Sequence, residues 1–338
     1  MAKAIRVLRK DGEGMRKKLS SLGILDADYF PSHDEKYVYF PVVKGLRGYK
    51  LVEVEARRRE VRKGFKEMLA GIVGGEASEG LFSSYDIVGD IAVLEIPDNL
   101  RAKEKGIADA LLKTNGNIKV VLRKEGGMEG EYRVRRFSFL SGERRTETTY
   151  VEHGVRMHLD LAKVYFSPRL SHERGRIAAQ VRAGEKVLVM FAGVGPFALV
   201  IAKKQKDAKV VGIELNPEAV RYFLENIELN GMGGRVEAVL GDVRKVVPGK
   251  FSGFADRVLM PLPKNAEDFL DVALLAAKKG GIIHFYTFVN RKDGKEAAEK
   301  KAFEAAKRAG RKIEILESRE VRPFSPSTVQ IVVDFKAA

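Results

Sequence analysis

Two glycines and two carboxylates follow strand-like segments in the second half of this sequence. The glycines, Gly193 and Gly195, lie in FAGVGPF directly after an apolar run, and two downstream runs end at Glu214 and Asp242. Glycine lets a chain turn and approach a ligand without a Cβ in the way. A carboxylate about twenty residues later suits the hydroxyls of a ribose. Asp242 could accept a hydrogen bond from an adenine amino group, so the pattern indicates a nucleotide cofactor.

Two prolines help to distinguish S-adenosylmethionine from a dinucleotide such as NAD. Pro196 removes an N–H group where a pyrophosphate would need donors at a helix N-terminus. The fourth strand-like run ends in Met-Pro-Leu-Pro, and Pro263 closes the kind of turn that nitrogen methyltransferases often carry beside the acceptor base. These features favour S-adenosylmethionine. The alternatives are that Asp242 only caps a helix and that Pro263 only ends a strand.

Strand-like and helical segments alternate from about Ser167 onward, as a parallel sheet covered by helices on both faces requires. The predicted strands are EKVLVMF, AKVVGIEL, VEAVLGD, ADRVLMPLP, GIIHFYTF and VQIVVDF. The predicted helices are FALVIAKKQK, PEAVRYFLENIELNG, VRKVV and NAEDFLDVALLAAKKG. Ligands of such sheets bind at the carboxyl ends of the strands, where the glycines and both carboxylates fall. We therefore predict an α/β, Rossmann-like domain over residues 167–338.

Two further regions and a linker precede this domain. Residues 1–70 alternate short apolar runs with a helical segment and predict a small α/β domain. Residues 71–84 are rich in Gly and Ser and predict a linker, and residues 85–166 predict a second α/β domain. Its later strands are dense in arginine: Arg133, Arg135, Arg136, Arg144 and Arg145. These arginines predict a basic sheet face beside the site, or else edge charges that prevent aggregation.

Composition favours an anionic partner and argues against several kinds of site. The chain has 338 residues, with 61 Lys and Arg against 46 Asp and Glu, for a formal net charge of +15. Spread-out positive charge suits nucleic acid, although a basic protein without a polyanionic partner is the alternative. Without cysteine there is no disulfide or thiolate, and the five histidines lack paired ligand spacing, so we expect no metal. With no signal-like start and no membrane-spanning run, we expect a cytoplasmic protein that does not bind membranes.

Seven motifs occur in an order that resembles a known family. They are GLFSSYDIVGDIAVLEIP, YRVRRFSFLSGERRT, KVYFSPRLSHERGRI, MFAGVGPF, NPEAVRYFLENIELN, GDVR and MPLPKNAEDFLD. The arrangement closely resembles the archaeal and eukaryotic tRNA (guanine-N1)-methyltransferases that act at tRNA position 37. The resemblance implies a Rossmann-like class I methyltransferase domain, an RNA-binding α/β domain and a small N-terminal domain that contacts the outer corner of tRNA. It also implies S-adenosylmethionine as cofactor and tRNA as partner, and we expect a monomer.

The resemblance carries functional residues onto this sequence by motif. The catalytic arginine falls on Arg133 and the catalytic glutamate on Glu173; Arg133, Arg135, Arg136, Arg144, Arg145 and Arg169 would bind RNA. Tyr165 and Pro263 match residues that line the guanine and cofactor pocket, whereas Phe191, Glu214 and Asp242 match positions near the cofactor. A carboxylate can accept the proton of guanine N1, and a guanidinium can stabilise the charge that develops on O6. The alternatives are a surface ion pair of Glu173 with Arg174 or Arg176, and a phosphate contact for Arg133.

The sequence departs from the family pattern at two positions and leaves several functions open. Val189 stands where many members have an acidic residue, and Pro261 replaces the usual Asn of the fourth-strand motif. Related enzymes transfer the aminocarboxypropyl group of the same cofactor to a tricyclic guanosine derivative, or methylate a carbon of that base. The two departures also leave open a tRNA-binding protein without catalytic activity, and the glycine loop by itself would suit a dehydrogenase.

Overall fold

The computed structural model describes residues 1–58, 64–74, 85–262 and 264–338. The chain divides into two compact units, Met1–Glu67 and Met68–Ala338. The N-terminal unit has one sheet and the second unit has three, and the residues that form the hydrophobic core of one unit do not belong to the core of the other.

The N-terminal unit is a small α/β fold. It contains the elements β1 (Ala2–Leu8), α1 (Gly12–Ser21), β2 (Ser32–His33), β3 (Tyr37–Pro41) and β4 (Leu51–Val54). The strands form an antiparallel sheet in the order β2-β3-β1-β4. Ile5, Leu19 and Phe40 are buried between this sheet and α1. The sequence prediction of a small α/β unit at this end is confirmed.

A helix, α2 (Phe65–Val73), begins where the N-terminal unit ends and buries Leu69 completely. The linker predicted over residues 71–84 therefore starts inside this helix, because GIV continues its apolar face. Residues 75–84 of that predicted linker lie outside the described part of the chain.

The first part of the second unit is also α/β. Its elements are β5 (Tyr85–Val88), β6 (Ile91–Leu94), α3 (Glu104–Thr114), β7 (Val120–Glu129), β8 (Val134–Gly142), β9 (Glu147–Glu152) and β10 (Val155–Asp160). The strands β5-β6-β7-β8 form one sheet, and β9 pairs with β10 as an antiparallel hairpin. Arg133 lies in the turn between β7 and β8, and not on a strand as predicted.

The rest of the second unit is built on a seven-stranded sheet in the order β13-β12-β11-β14-β15-β17-β16. Its strands are β11 (Lys186–Met190), β12 (Lys209–Glu214), β13 (Val236–Leu240), β14 (Ala255–Met260), β15 (Ala277–Asn290), β16 (Ile313–Pro323) and β17 (Thr328–Ala337). Its helices are α4 (Ser171–Gln180), α5 (Pro196–Lys204), α6 (Pro217–Leu229), α7 (Val243–Val246), α8 (Leu270–Ala276) and α9 (Gly294–Arg308). Neighbouring strands from β13 to β15 are parallel, and β15-β17-β16 are antiparallel.

Successive residues of β11 pack into opposite layers, as the alternation of a strand requires. Val187 and Val189 join the core that contains Phe197, whereas Leu188 and Met190 join the core on the other face. Both faces of the sheet are therefore buried, and the predicted α/β class is confirmed.

Three features of this sheet differ from the sequence prediction. The segment AKKG extends β15 instead of ending the preceding helix. The helix α9 and the strand β16 were not predicted. The buried face of α9 consists of alanines (Ala298, Ala302, Ala305 and Ala306), which carry little hydrophobic signal. Most of β16 is polar, because it is the outer strand of the sheet.

Candidate functional site

A cavity of about 590 Å³ opens at the carboxyl ends of the parallel strands. One end of it, the glycine-loop end, is lined by Phe191, Gly193, Glu214 and Asp242, which follow β11, β12 and β13. A second group of lining residues, called the basic end here, comprises Arg133, Arg135, Tyr165, Arg169, Phe288, Arg322, Phe324 and Gln330. Most of the predicted site residues therefore meet in one cavity, although they are spread over more than a hundred residues of sequence.

The backbone between β11 and α5 forms the wall of the glycine-loop end. Phe191 has φ 59° and Gly193 has φ 58°, both in the left-handed region. This conformation is uncommon for a bulky residue such as Phe191. Its ring packs edge-on against Phe269, with 4.9 Å between ring centroids. A Cβ on Gly193 would meet only the carbonyl oxygen of Tyr165, at 3.7 Å, so the chain faces open cavity here.

Glu214 at the end of β12 is fixed by backbone donors. Its Oε2 accepts from Gly193 N at 2.7 Å, and its Oε1 accepts from Leu215 N and Asn216 N at 2.9 Å each. Burial raises the pKa of this carboxyl, and the three amide hydrogen bonds oppose that rise. The carboxylate thus has a defined position in the cavity wall, from which it can accept hydrogen bonds from a diol.

Asp242 combines the two roles that the sequence left open. Its Oδ1 accepts from Arg244 N at 2.9 Å and caps the N-terminus of α7. The same residue lines the cavity. Arg244 stacks over the ring of Phe269, 3.8 Å from the centroid, and so covers this part of the wall.

Gly195 is not a cavity residue. It caps the N-terminus of α5 with φ 87°, and a Cβ there would lie 2.1 Å from the ring of Phe223. The requirement for glycine therefore comes from packing against α6, and not from approach to a ligand. Val189, where the family pattern is broken, is likewise buried in the core and does not line the cavity.

Asn226 on α6 ties the glycine loop to β10, and sequence reasoning missed it. Its amide Nδ2 donates to the carbonyls of Val194 at 3.2 Å and His158 at 3.1 Å. Its Oδ1 accepts from His158 N at 2.6 Å, and the side chain is fully buried. In the sequence this asparagine is indistinguishable from the polar residues on the exposed face of an amphipathic helix.

Arg133 and Tyr165 face each other at the basic end. The guanidinium carbon of Arg133 lies 5.7 Å from the centroid of the Tyr165 ring, within the range of a cation–π contact. Burial lowers the pKa of Arg133, and its backbone has φ 54°. Arg169 also lines the cavity, but its Nε already donates to Asp86 at 2.6 Å. Arg133 is therefore a half-buried cation without a carboxylate partner among the described residues.

Glu173 lies outside the cavity lining. Its carboxylate is buried at 2% exposure and accepts from Arg176 Nη2 at 2.8 Å and from the Tyr286 hydroxyl at 2.6 Å. Arg319 contacts its other oxygen. The ion pair with Arg176 that the sequence offered as the alternative is present, but it is buried because α4 packs against the sheet. Arg174 pairs instead with Glu152.

Three of the predicted RNA-binding arginines lie outside the cavity lining. Arg136 pairs with Glu129 at 2.9 Å, and Arg144 stacks over Phe139, 5.0 Å from the centroid. Arg145 pairs with Asp90 and Glu143, and these hydrogen bonds raise its pKa. Each of them thus contacts another side chain of the same chain. Pro263 lies outside the described residues, although Pro261 and Leu262 line the cavity.

A buried polar chain runs from Glu173 through the sheet. Arg176 Nη1 donates to Asp334 Oδ2 at 2.7 Å, and Asp334 Oδ1 lies 2.6 Å from His284 Nδ1. Arg257 Nη1 lies 2.7 Å from His284 Nε2, which must then be the acceptor, so His284 is neutral and donates through Nδ1. Burial lowers the pKa of His284, consistent with this form. His284 is thus a core residue.

Neither a metal cluster nor a membrane span is found among the described residues. Residues 1–58, 64–74, 85–262 and 264–338 contain no group of three or more His, Asp or Glu that could hold a metal ion. Within the same ranges no helix is long and apolar enough to cross a membrane.

The parallel sheet, the glycine loop and the strand-end carboxylates define a Rossmann-like enzyme of the class that binds an adenosine-containing cofactor. The profile of the TRM5/TYW2 methyltransferase domain matches residues 148–316. A TYW2 N-terminal domain matches residues 65–146, and a tRNA methyltransferase 5 N-terminal domain matches residues 4–50. The chain belongs to the TRM5/TYW2 methyltransferase family.

Named relatives are similar over most or all of the chain. The tRNA (guanine(37)-N(1))-methyltransferase Trm5b of Pyrococcus abyssi is 38% identical over 339 residues, covering 100% of both chains. A solved complex of aTrm5 and tRNALeu is 34% identical, covers 98% of this chain and 99% of that one, and superposes with a TM-score of 0.85. A tRNA(Phe) (4-demethylwyosine(37)-C(7)) aminocarboxypropyltransferase of Pyrococcus horikoshii is 33% identical, covering 83% of this chain and 98% of the relative.

Proposed function

We propose that this chain is a tRNA (guanine-N1)-methyltransferase, which transfers the methyl group of S-adenosylmethionine to N1 of guanosine 37. The observation that carries the proposal is the cavity itself, in which a glycine loop with strand-end carboxylates meets a half-buried arginine that has no carboxylate partner among the described residues. Full-length similarity to guanine-37 N1-methyltransferases supports it. All the groups assigned here belong to one chain, so we propose that it acts as a monomer.

The glycine-loop end fits S-adenosylmethionine. Glu214 presents a carboxylate beside the Gly193 amide, as ribose hydroxyls require, and Asp242 can accept from an adenine amino group. The rings of Phe191 and Phe269 supply an apolar wall for adenine. When bound, the cofactor supplies a methyl carbon on a positively charged sulfur, which is already a good leaving group. The protein's remaining task is to align and deprotonate the acceptor.

Arg133 is the group we assign to the guanine O6. As N1 loses its proton, negative charge develops on O6, and a guanidinium without a carboxylate partner can stabilise it. The lowered pKa of Arg133 reflects the cost of burying this cation without an anion. Binding of an anionic base would recover that cost, so Arg133 is suited to the transition state rather than to the free protein.

Glu173 is the group we assign as proton acceptor for N1. Tyr286 donates to its Oε1, and burial raises the pKa of Tyr286, so this hydroxyl stays protonated. Arg176 and Arg319 cover the carboxylate. The assignment therefore requires that binding of tRNA exposes the carboxylate, and we propose that this displaces the half-buried Arg319 on the outer strand β16.

Two isotopic labels in the cofactor test the proposal. An unmodified tRNA transcript is incubated with the protein and S-adenosylmethionine labelled either in the methyl group or in the carboxyl group. We expect only the methyl label to enter the tRNA, and only when position 37 is guanosine and not adenosine. Carboxyl label in the tRNA would establish aminocarboxypropyl transfer instead, and binding without transfer of either label would establish a non-catalytic tRNA-binding protein.

A further inference from the structure

Four side chains at the basic end lie next to each other because of strand register. Gln330 on β17 pairs with Phe288 on β15 on one side and with Arg322 on β16 on the other. The ring of Phe324, just after β16, packs on Phe288 with 4.3 Å between centroids. All four line the cavity. An aromatic pair and a guanidinium thus stand side by side across three strands.

The guanidinium of Arg322 is oriented but not neutralised. Its Nε donates to Gln330 Oε1 at 3.0 Å, and Gln330 is buried at 1% exposure. Among the described residues no carboxylate pairs with Arg322, whereas Arg169 and Arg145 are paired. The bond from Nε leaves the outer edge of the fork, Nη1 and Nη2, for a ligand. A planar fork held in this way favours a two-acceptor ligand over a point charge.

The position of this group suits the acceptor base rather than the cofactor. Phe191, Glu214 and Asp242 follow the neighbouring strands β11, β12 and β13, at one end of the cavity. Phe288 lies on β15, two strands beyond β11, which is about 10 Å at the usual strand spacing. With the cofactor at the glycine-loop end, the acceptor base would therefore lie toward β15, β17 and β16.

Guanine offers hydrogen-bond acceptors for the Nη1 and Nη2 donors of Arg322. Its O6 and N7 accept two parallel hydrogen bonds from one guanidinium, whereas adenine presents a donor at N6 beside N7. Bases that leave their stack are commonly held by aromatic side chains and read on their edges. We infer that Arg322 reads the O6 and N7 edge of the target guanine, that Gln330 is the residue that positions it, and that Phe288 and Phe324 wall the base. This inference rests on the proposed function.

Removal of the guanine N7 acceptor tests the inference. Single-turnover methyl transfer is measured on tRNA that carries guanosine or 7-deazaguanosine at position 37. With 7-deazaguanosine we expect the rate of methyl transfer by the wild-type protein to fall about tenfold, because one bond of a bidentate pair is lost. This fall in rate is called the 7-deaza penalty. Arg322→Ala should transfer the methyl group to guanosine about tenfold more slowly than the wild-type protein. Its rate should not fall further when guanosine is replaced by 7-deazaguanosine.

Variants of the neighbouring residues sharpen the test. Gln330→Leu should shrink the 7-deaza penalty, whereas Gln330→Glu, which keeps an acceptor for Arg322 Nε, should retain it. Arg291→Ala is the matched control: this exposed arginine pairs with Glu320 at 3.7 Å, does not line the cavity, and should leave the penalty at about tenfold. Loss of the penalty in the Arg291 variant would contradict the assignment to Arg322.

The possible failures are distinguishable. Equal 7-deaza penalties in the wild-type protein and Arg322→Ala would overturn the inference while leaving N1 methylation intact. A phosphate contact of Arg322 would also overturn the inference. It would be recognised if Arg322→Lys transfers methyl groups at the full rate and if Arg322→Ala only reduces the salt dependence of tRNA binding. A wild-type protein that transfers no methyl group to guanosine 37 would overturn the proposed function, and this inference with it.

Discussion

At the scale of single residues, the cavity depends on conformations that residue type alone does not predict. Phe191 and Arg133 are both in the left-handed region, with φ 59° and 54°. For non-glycine residues this conformation costs free energy and recurs at functional sites. Motif resemblance identified both residues, but it could not show that their backbones point the side chains into one cavity. The packing of Phe269 and Tyr165 against them does so.

Arg133 should contribute to the reaction and not to cofactor binding. Arg133→Ala should lower single-turnover methyl transfer by about 100-fold, because one donor to the developing charge on O6 is lost. The dissociation constant for S-adenosylmethionine should change less than about twofold, because the glycine-loop end is untouched. Arg291→Ala, in an exposed residue outside the cavity lining, is the control. An unchanged transfer rate in Arg133→Ala would contradict the assignment.

Glu173 should be needed for proton removal although it is buried. Glu173→Gln keeps the size of the side chain but cannot accept the N1 proton, so transfer should fall by about 100-fold or more. Tyr286→Phe removes a donor to the same oxygen and leaves the carboxylate in place, so it should have a much smaller effect. Cofactor affinity and melting temperature should be measured for both. Near-normal turnover in Glu173→Gln would contradict the role of Glu173 as proton acceptor and would show that its ion pairs serve only the fold.

At the scale of elements, the sheet positions the site by bringing strand ends together. The strand–helix alternation and the position of the glycine loop were predictable because both carry strong apolar and glycine signals. The hydrogen bonds by which Asn226 connects the glycine loop to β10, called the Asn226 clamp here, were not predictable, since the partners are about 30 to 70 residues away in sequence. The residues on β16 were not predictable either, because an outer strand shows little apolar alternation. Contacts between distant segments decide both.

Asn226 should stabilise the glycine loop. Asn226→Ala leaves the Val194 carbonyl and the His158 backbone groups without their partner, which should cost about 1–3 kcal/mol in the free energy of unfolding. The affinity for S-adenosylmethionine should weaken as well, because Val194 lies between Gly193 and Gly195. Asn230→Ala on the same helix is the control, as it contacts β10 but not the loop. Equal effects of Asn226→Ala and Asn230→Ala on cofactor affinity would contradict a role of Asn226 in holding the glycine loop.

Asp334 should make stability depend on pH in the acid range. Burial alone would raise its pKa, but the hydrogen bond from His284 and the hydrogen bond and charge of Arg176 lower it from 3.8 to about 2. A carboxyl with a lowered pKa stabilises the fold above its unfolded pKa, and this contribution, about 2 kcal/mol, is lost as the pH falls from about 4 to 2. Asp334→Asn should therefore be less stable than wild type at pH 6 and nearly equal to it at pH 2.

Denaturant unfolding at a series of pH values measures this difference. Asp207→Asn removes an exposed aspartate in the turn that follows α5 and serves as the control. A difference between wild type and Asp334→Asn that stays constant from pH 6 to pH 2 would show that the ionised carboxylate does not carry the effect.

At the scale of the whole molecule, one compact unit supplies the entire cavity. Its lining residues run from Asp86 to Gln330, within the unit Met68–Ala338. The net charge of +15 is suited to a tRNA partner, because release of counterions favours binding. Composition could predict the polyanion and motifs could predict the reaction. Which arginines remain free for RNA could not be predicted, since the pairing of Arg136 and Arg145 depends on the folded chain.

The most direct test of the account is the identity of the modified nucleoside. Unmodified tRNA with guanosine at position 37 is methylated, cleaved and analysed by mass spectrometry with sequence mapping. The account predicts one product, N1-methylguanosine, at position 37 and nowhere else, and its loss in Arg133→Ala. A methyl group on another atom of the base, a methylated nucleoside at another position, or the mass of an aminocarboxypropyl group would contradict it.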